Sequence, residues 1–215
     1  MNTDAPSLSR HTLNLKEIKA DRLPDNFFKK DTLALARDLL GKYLVSTTSE
    51  GTAVGKIVET EAYLTEDPAS HAFHGQTKRN APMFQDPGTI YIYFIYGNHY
   101  CFNVVSGKRG IGEAVLIRAV EPVSGVELME KRRKRCTKQD QISNGPAKLV
   151  QALGIDPSLN NQSLLSQESP LFFAFGDELA PGKIAQSPRI GISKGKGLPY
   201  RFYIIANPYI SNKKH

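Results

Sequence analysis

The stretch TIYIYFIYGNHYCFNVV, residues 89–105, decides the architecture. Its first half, Thr89 to Tyr96, is β-branched and aromatic, and so is the return, Tyr100 to Val105. Such side chains suit a pleated, half-buried surface. Gly97-Asn98 between them supplies the backbone freedom of a hairpin tip. Asp86-Pro87-Gly88 provides the turn that leads in. An antiparallel hairpin is expected, with Tyr91 and Tyr93 on one face.

The same reasoning extends outward. Asp31 is a suitable N-cap for a helix to Leu40, with Gly41 past its end and Leu33, Ala36, Leu39 and Leu40 as its apolar stripe. Tyr43 to Thr47 and Ala53 to Tyr63 read as strands around a turn at Ser49-Glu50-Gly51. Downstream, Glu113 to Val120 reads as a strand closed by Pro122. Ser124 with Glu127 fits a capping box for a helix that ends in the basic run Lys131 to Arg135. Asn144-Gly145-Pro146 starts a helix that reaches Leu153, with Gly154 beyond it. Short strands and loops follow. Together these elements predict an α+β fold, a single mixed domain around a largely antiparallel sheet, over residues 26–210. Residues 1–25 are expected to form a disordered arm and residues 211–215 a tail.

Composition narrows the function. The 215 residues hold no apolar run near the ~20 that a membrane helix needs. Met1 to Arg10 lacks the apolar core of a secretion signal. Cys101 and Cys136 are far apart and in no CxxC motif, which argues against a disulfide framework and a structural zinc. An intracellular location is expected. The 28 basic residues exceed the 21 acidic ones, a formal charge of +7 that favours a polyanionic partner.

Several segments could carry chemistry. In IVETEAY, residues 57–63, a strand would put Ile57, Glu59, Glu61 and Tyr63 on one face and Val58 and Thr60 on the other. Two carboxylates there are either a general base beside an aromatic platform or glutamates on a solvated face. The tyrosines at 91, 93, 96 and 100 either pack a sheet or stack on unpaired bases. Tyr96, beside the hairpin tip, is the one least expected in a core. His71 and His74 form an HxxH with no further ligand motif, so no metal is expected. Thr77, Lys78 and Arg79 suit phosphate oxygens, as they suit a solvated loop. Lys131 to Arg135 could lie along DNA or form a solvated helix end. Lys148 stands near a helix N-terminus whose free N–H groups make a phosphate seat.

The order of these segments is more specific than any one of them. VETEAYL, a histidine, TKRN with Met83-Phe84, PGTIYIYFIYG, a cysteine with Asn103, VLIRAVEP, NGPAKLVQALGI and RIGISKGKGLPYRFYI follow one another from about Asp31 to Ile210. The series resembles the alkyladenine (3-methyladenine) DNA glycosylase family. The resemblance implies a curved antiparallel sheet with a protruding hairpin and a monofunctional hydrolase that needs no cofactor. It implies Glu61 as general base, Arg118 as an active-site arginine after the next strand, Tyr63 and Tyr93 as stacking residues, and His71 reading the base edge. It implies Tyr96 as a wedge inserted into DNA and Asn103 as the residue that crowds a guanine 2-amino group. This chain carries Asn98 where some members have an apolar residue, so no second wedge is expected.

The implied activity is excision of alkylated or deaminated purines, such as 3-methyladenine, 7-methylguanine, hypoxanthine or ethenoadenine, from duplex DNA. The enzyme would act as a monomer, in the cytoplasm of a bacterium or the nucleus of a eukaryote. No lysine stands among the matched residues, so no Schiff-base lyase is expected. The competing readings are a non-catalytic nucleic-acid-binding domain and, more remotely, a metal-dependent hydrolase using His71 and His74.

Overall fold

The computed structural model describes residues 18, 20–95, 97, 99–134, 136–180 and 182–211. Its elements, in chain order, are α1 (Asp25–Phe28), α2 (Thr32–Asp38), β1 (Tyr43–Thr48), β2 (Gly51–Tyr63), β3 (Ile90–Ile95), β4 (His99–Val105), β5 (Ala114–Ser124), α3 (Val126–Arg132), α4 (Pro146–Leu153), β6 (Leu171–Ala174), β7 (Ile184–Ser187) and β8 (Arg201–Ile204), with short 3-10 turns between some of them. The eight strands of the described residues form one curled, wholly antiparallel sheet: six follow the order β3-β4-β5-β2-β1-β6, and β8 pairs with β2 and with β7. The expected α+β fold with its β3–β4 hairpin is what the chain adopts.

Strand β2 is the axis of the sheet. Thirteen residues long, it gives one edge to β5 and shares the other between β1, along residues 51–56, and β8, along residues 59–61. Alternation then sorts side chains by face. On β3, β4 and β5, Ile90, Ile92, Phe102, Val104, Val115 and Ile117 enter the main core, which the apolar sides of α2, α3 and α4 complete. Their neighbours, Tyr91, Tyr93, Cys101, Asn103, Leu116 and Arg118, face the opposite side and line a cavity.

Several local expectations change. Ile57 does not share a face with the glutamates: the register skips Val58, and Ile57 and Val58 both join the core. That bulge bends β2 and turns Glu59 and Glu61 away from the core. β5 continues past Pro122, which pairs with Gly55 at a second irregularity. The Ser124/Glu127 capping box does not form, because Gly125 at φ +69° is the N-cap of α3 and no side chain caps the helix. The packed body begins before residue 26. Ile18 and Leu23 are buried, and the Leu23 amide donates to Phe173 O at 2.9 Å. Ser211, assigned to the tail, is buried as well. Residues 1–17, 19 and 212–215 lie outside the described residues.

Candidate active site

The cavity holds about 350 Å³ and opens on the sheet face opposite the core. Its floor is built from cross-strand pairs. Tyr91 on β3 stands opposite Asn103 on β4, Tyr93 opposite Cys101, and Asn103 opposite Leu116 on β5. The Asn103 amide nitrogen donates to Tyr91 O at 3.0 Å, which fixes the orientation of its side chain. His71 leans on this floor from the loop after β2. Its Nδ1 lies 2.8 Å from Tyr91 Oη, and its ring meets Tyr93 edge-on at 4.5 Å. Burial against these rings, helped by Arg79, pushes the imidazole below its ordinary pKa. A neutral ring at pH 7 can present both a donor and an acceptor. Burial pushes the Tyr91 phenol up to about 12 and the Cys101 thiol up to about 11, so neither ionises at neutral pH.

The two glutamates of β2 are not solvated. Both are 0% exposed, which excludes the solvated face that the sequence left open. Glu61 accepts from the Ile190 amide at 2.8 Å, from Tyr63 Oη at 2.9 Å and from Arg118 Nη1 at 3.3 Å. Tyr63, Arg118 and Ile190 all line the cavity, so the carboxylate sits directly behind its wall. Glu59 accepts from Arg201 Nε at 2.6 Å, from the Ser211 amide at 2.5 Å and from its hydroxyl at 2.8 Å, and lies 3.2 Å from Arg118 Nε. Two carboxylates and two guanidiniums thus form a neutral, hydrogen-bonded quartet away from water. Burial opposes the Arg118 charge, but Glu61 and Glu59 outweigh it and hold the pKa above its ordinary value. Tyr63 is pushed up by burial and by the Glu61 charge, so it remains a proton donor to that carboxylate.

A second buried pair anchors the wall. Arg189 bonds both oxygens of Asp67 and the carbonyl of Ala62, and its guanidinium lies over the Tyr63 ring at 4.6 Å. It joins the loop leading to His71 with the segment that places the Ile190 amide on Glu61.

The candidate phosphate contacts are spread around the rim and beyond it. Asn80 ties the loop of Thr77, Lys78 and Arg79 back to His71 O and Gly75 O, while Lys78 and Arg79 stay exposed. Lys148, on α4, donates to Asn144 just ahead of the helix, and the helix's first residue, Pro146, lines the cavity. The first three residues of the basic run are committed elsewhere: Lys131 and Arg132 pair with Glu50, and Arg133 bonds Ile142 O and Gln151. Tyr96 and Asn98 lie outside the described residues, as does Arg135. Among the described residues, no group of three or more His, Cys, Asp or Glu is placed to hold a metal.

With this geometry in place, the comparison with known proteins is decisive. The family model described as Methylpurine-DNA glycosylase (MPG) matches residues 26–208. The chain belongs to the methylpurine-DNA glycosylases. Curated relatives agree. The chain is 49% identical over 191 residues to the "Putative 3-methyladenine DNA glycosylase" of Carboxydothermus hydrogenoformans, covering 89% of this chain and 99% of that one. Proteins of the same name from Francisella tularensis subsp. tularensis, 85% and 94% covered, and Methanoculleus marisnigri, 89% and 99% covered, are also 49% identical.

As a methylpurine-DNA glycosylase, the chain is a DNA repair hydrolase of N-glycosyl bonds that binds DNA. Among the described residues no helix is long and apolar enough to cross a membrane. The fold of this glycosylase brings Glu61, Arg118, Tyr63, His71, Tyr93 and Asn103 around one cavity. Sequence reasoning missed Arg189, Arg201 and Ser211, and it weighed Glu59 and Tyr91 without giving either a role of its own. Tyr91 was within reach, since it shares a strand face with Tyr93. The others act through partners more than a hundred residues away, which no local pattern reports.

Proposed function

We propose that the cavity receives a purine flipped out of duplex DNA and that Glu61 activates the water that cuts its bond to deoxyribose. The observation that carries this reading is the buried Glu61 carboxylate held against the cavity by Ile190, Tyr63 and Arg118. Cationic character develops on the sugar as the glycosidic bond breaks. An oriented carboxylate beside it stabilises that charge and takes the proton of the attacking water. Arg118 fixes the carboxylate. Tyr63 and Tyr93 stack on the base, His71 reads its edge, and Asn103 narrows the floor where a guanine would place its 2-amino group.

A purine methylated at N3 or N7 already carries positive charge, so it leaves without an acid. A neutral His71 suits such a base better than an imidazolium would. Hypoxanthine and ethenoadenine are neutral and need more from the pocket. No lysine lines the cavity among the described residues, which supports hydrolysis over a Schiff-base lyase step. Base release from duplexes carrying each lesion tests the proposal. Binding of every lesion without release of any base would instead mark a non-catalytic binding domain.

Tyr96 is proposed as the wedge. An aromatic side chain beside the hairpin tip fills the gap left by the extruded nucleotide and restores stacking, worth a few kcal/mol at most. Tyr96→Ser is expected to lower the flipped fraction of a fluorescent lesion analogue. Excision should suffer most for well-stacked lesions. Equal flipping by a folded Tyr96→Ser protein, checked by circular dichroism, would remove Tyr96 from this role.

A further inference from the structure

The charge of this chain is not spread along it. Glu178 is the last acidic residue; seven basic residues and no acidic one follow, so residues 179–215 carry a charge equal to the whole formal +7. Among the described residues of this segment, Arg189 and Arg201 are buried in ion pairs with Asp67 and Glu59. Lys183 stands beyond the end of β7 that is farther from the site, because the other end, Ser187, pairs with Arg201. Lys194 and Lys196 remain. Both are exposed, and neither pairs with an acid among the described residues.

Their position is specific. Ile190, Gly191 and Ile192, immediately before them, line the cavity. The root of the loop is fixed twice, by the Ile190 amide on Glu61 and by Arg189 on Asp67. Gly195, between the lysines, has φ +60°, and a Cβ there would lie 2.9 Å from Asp67 Oδ1 and 3.2 Å from Arg189 Nη2. Only glycine lets the backbone turn this closely over the buried pair. The two lysines are therefore held on an anchored loop beside the cavity mouth. The basic run at Lys131 to Arg133, by contrast, is already partnered within the protein.

We propose that the loop carrying Lys194 and Lys196 is a phosphate clamp that grips the DNA backbone flanking the flipped nucleotide. The inference rests on the cavity being the seat of that nucleotide. Each lysine neutralises one phosphate, and each such contact adds about 0.9 to the slope of log affinity against log salt on duplex DNA. The clamp positions the strand without reading sequence.

The test measures affinity for undamaged duplex between about 50 and 200 mM salt. In K194Q/K196Q the slope is expected to fall by about 1.8. K194R/K196R should keep the parent slope, since the charges remain, and K131Q/K134Q should keep it too. An unchanged slope in folded K194Q/K196Q overturns the clamp, and so does an equal loss in K131Q/K134Q, which would show only diffuse attraction. Because undamaged DNA is used, these results do not depend on the role of Glu61. The parallel variant E61Q, which should bind with the parent slope but fail to release base, reports on that role separately.

Discussion

Glu61→Gln is expected to lower single-turnover base excision by about 10²- to 10⁴-fold, the range that a positioned general base contributes. The geometry says why so small a change matters. Glu61 offers acceptors to three donors: the Ile190 amide, the Tyr63 hydroxyl and Arg118 Nη1. A glutamine amide can keep its oxygen on the Ile190 amide only by turning its nitrogen toward Tyr63 and Arg118. The Tyr63 hydroxyl can rotate to accept from that nitrogen, but Arg118 cannot. The variant therefore loses the anion that would stabilise the sugar cation and leaves one guanidinium nitrogen without its acceptor. DNA binding should persist, since the carboxylate is buried behind the cavity wall. Excision within about threefold of the parent, equivalent to ~0.6 kcal/mol in the barrier, would exclude Glu61 as the base.

The second large effect is on stability. Glu59→Gln should cost about 3–5 kcal/mol, because it leaves Arg118 and Arg201 with a single anion between them in a buried site. For a chain of this size that lowers the melting temperature by roughly 6–20 °C. Urea unfolding measures it directly, and a loss under about 1 kcal/mol would mean the quartet is not under electrostatic tension. A double-mutant cycle sharpens the test. Removing Arg201 as well, in Glu59→Gln with Arg201→Gln, restores charge balance, so the pair should cost less than the sum of the two single changes.

Much of this architecture is legible in the sequence because its signals are local. The hairpin follows from two β-branched and aromatic runs around Gly97-Asn98, and α2 from Asp31, whose side chain accepts from the Leu33 and Ala34 amides. The C-terminal end of α4 follows from Gly154 at φ +66°. What the sequence obscures is whatever depends on a partner far along the chain. Period-two counting puts Ile57 with the glutamates, but a bulge at Val58, set by pairing with β5, breaks the count. Ser124 looks like a cap until Gly125 takes the N-cap position in a left-handed conformation. In isolation Glu59 and Glu61 suit a solvated edge as well as a buried site. Their burial depends on Arg118, Arg201 and Ser211, which arrive 57 to 152 residues later.

That separation has a consequence for how the protein matures. β8 and Ser211 leave the ribosome long after β2, yet they close the edge of β2 and neutralise Glu59. Until they dock, the nascent chain can build the β1–β2 hairpin and the β3–β4 hairpin, whose contacts are close in sequence. It cannot assemble the quartet, whose contacts span most of its length. The charge network behind the cavity is therefore completed only once β8 and Ser211 have docked. A translation product that stops short of residue 201 would still carry Glu61, Tyr63 and Tyr93, but with Arg118 and Glu59 facing water where β8 should lie.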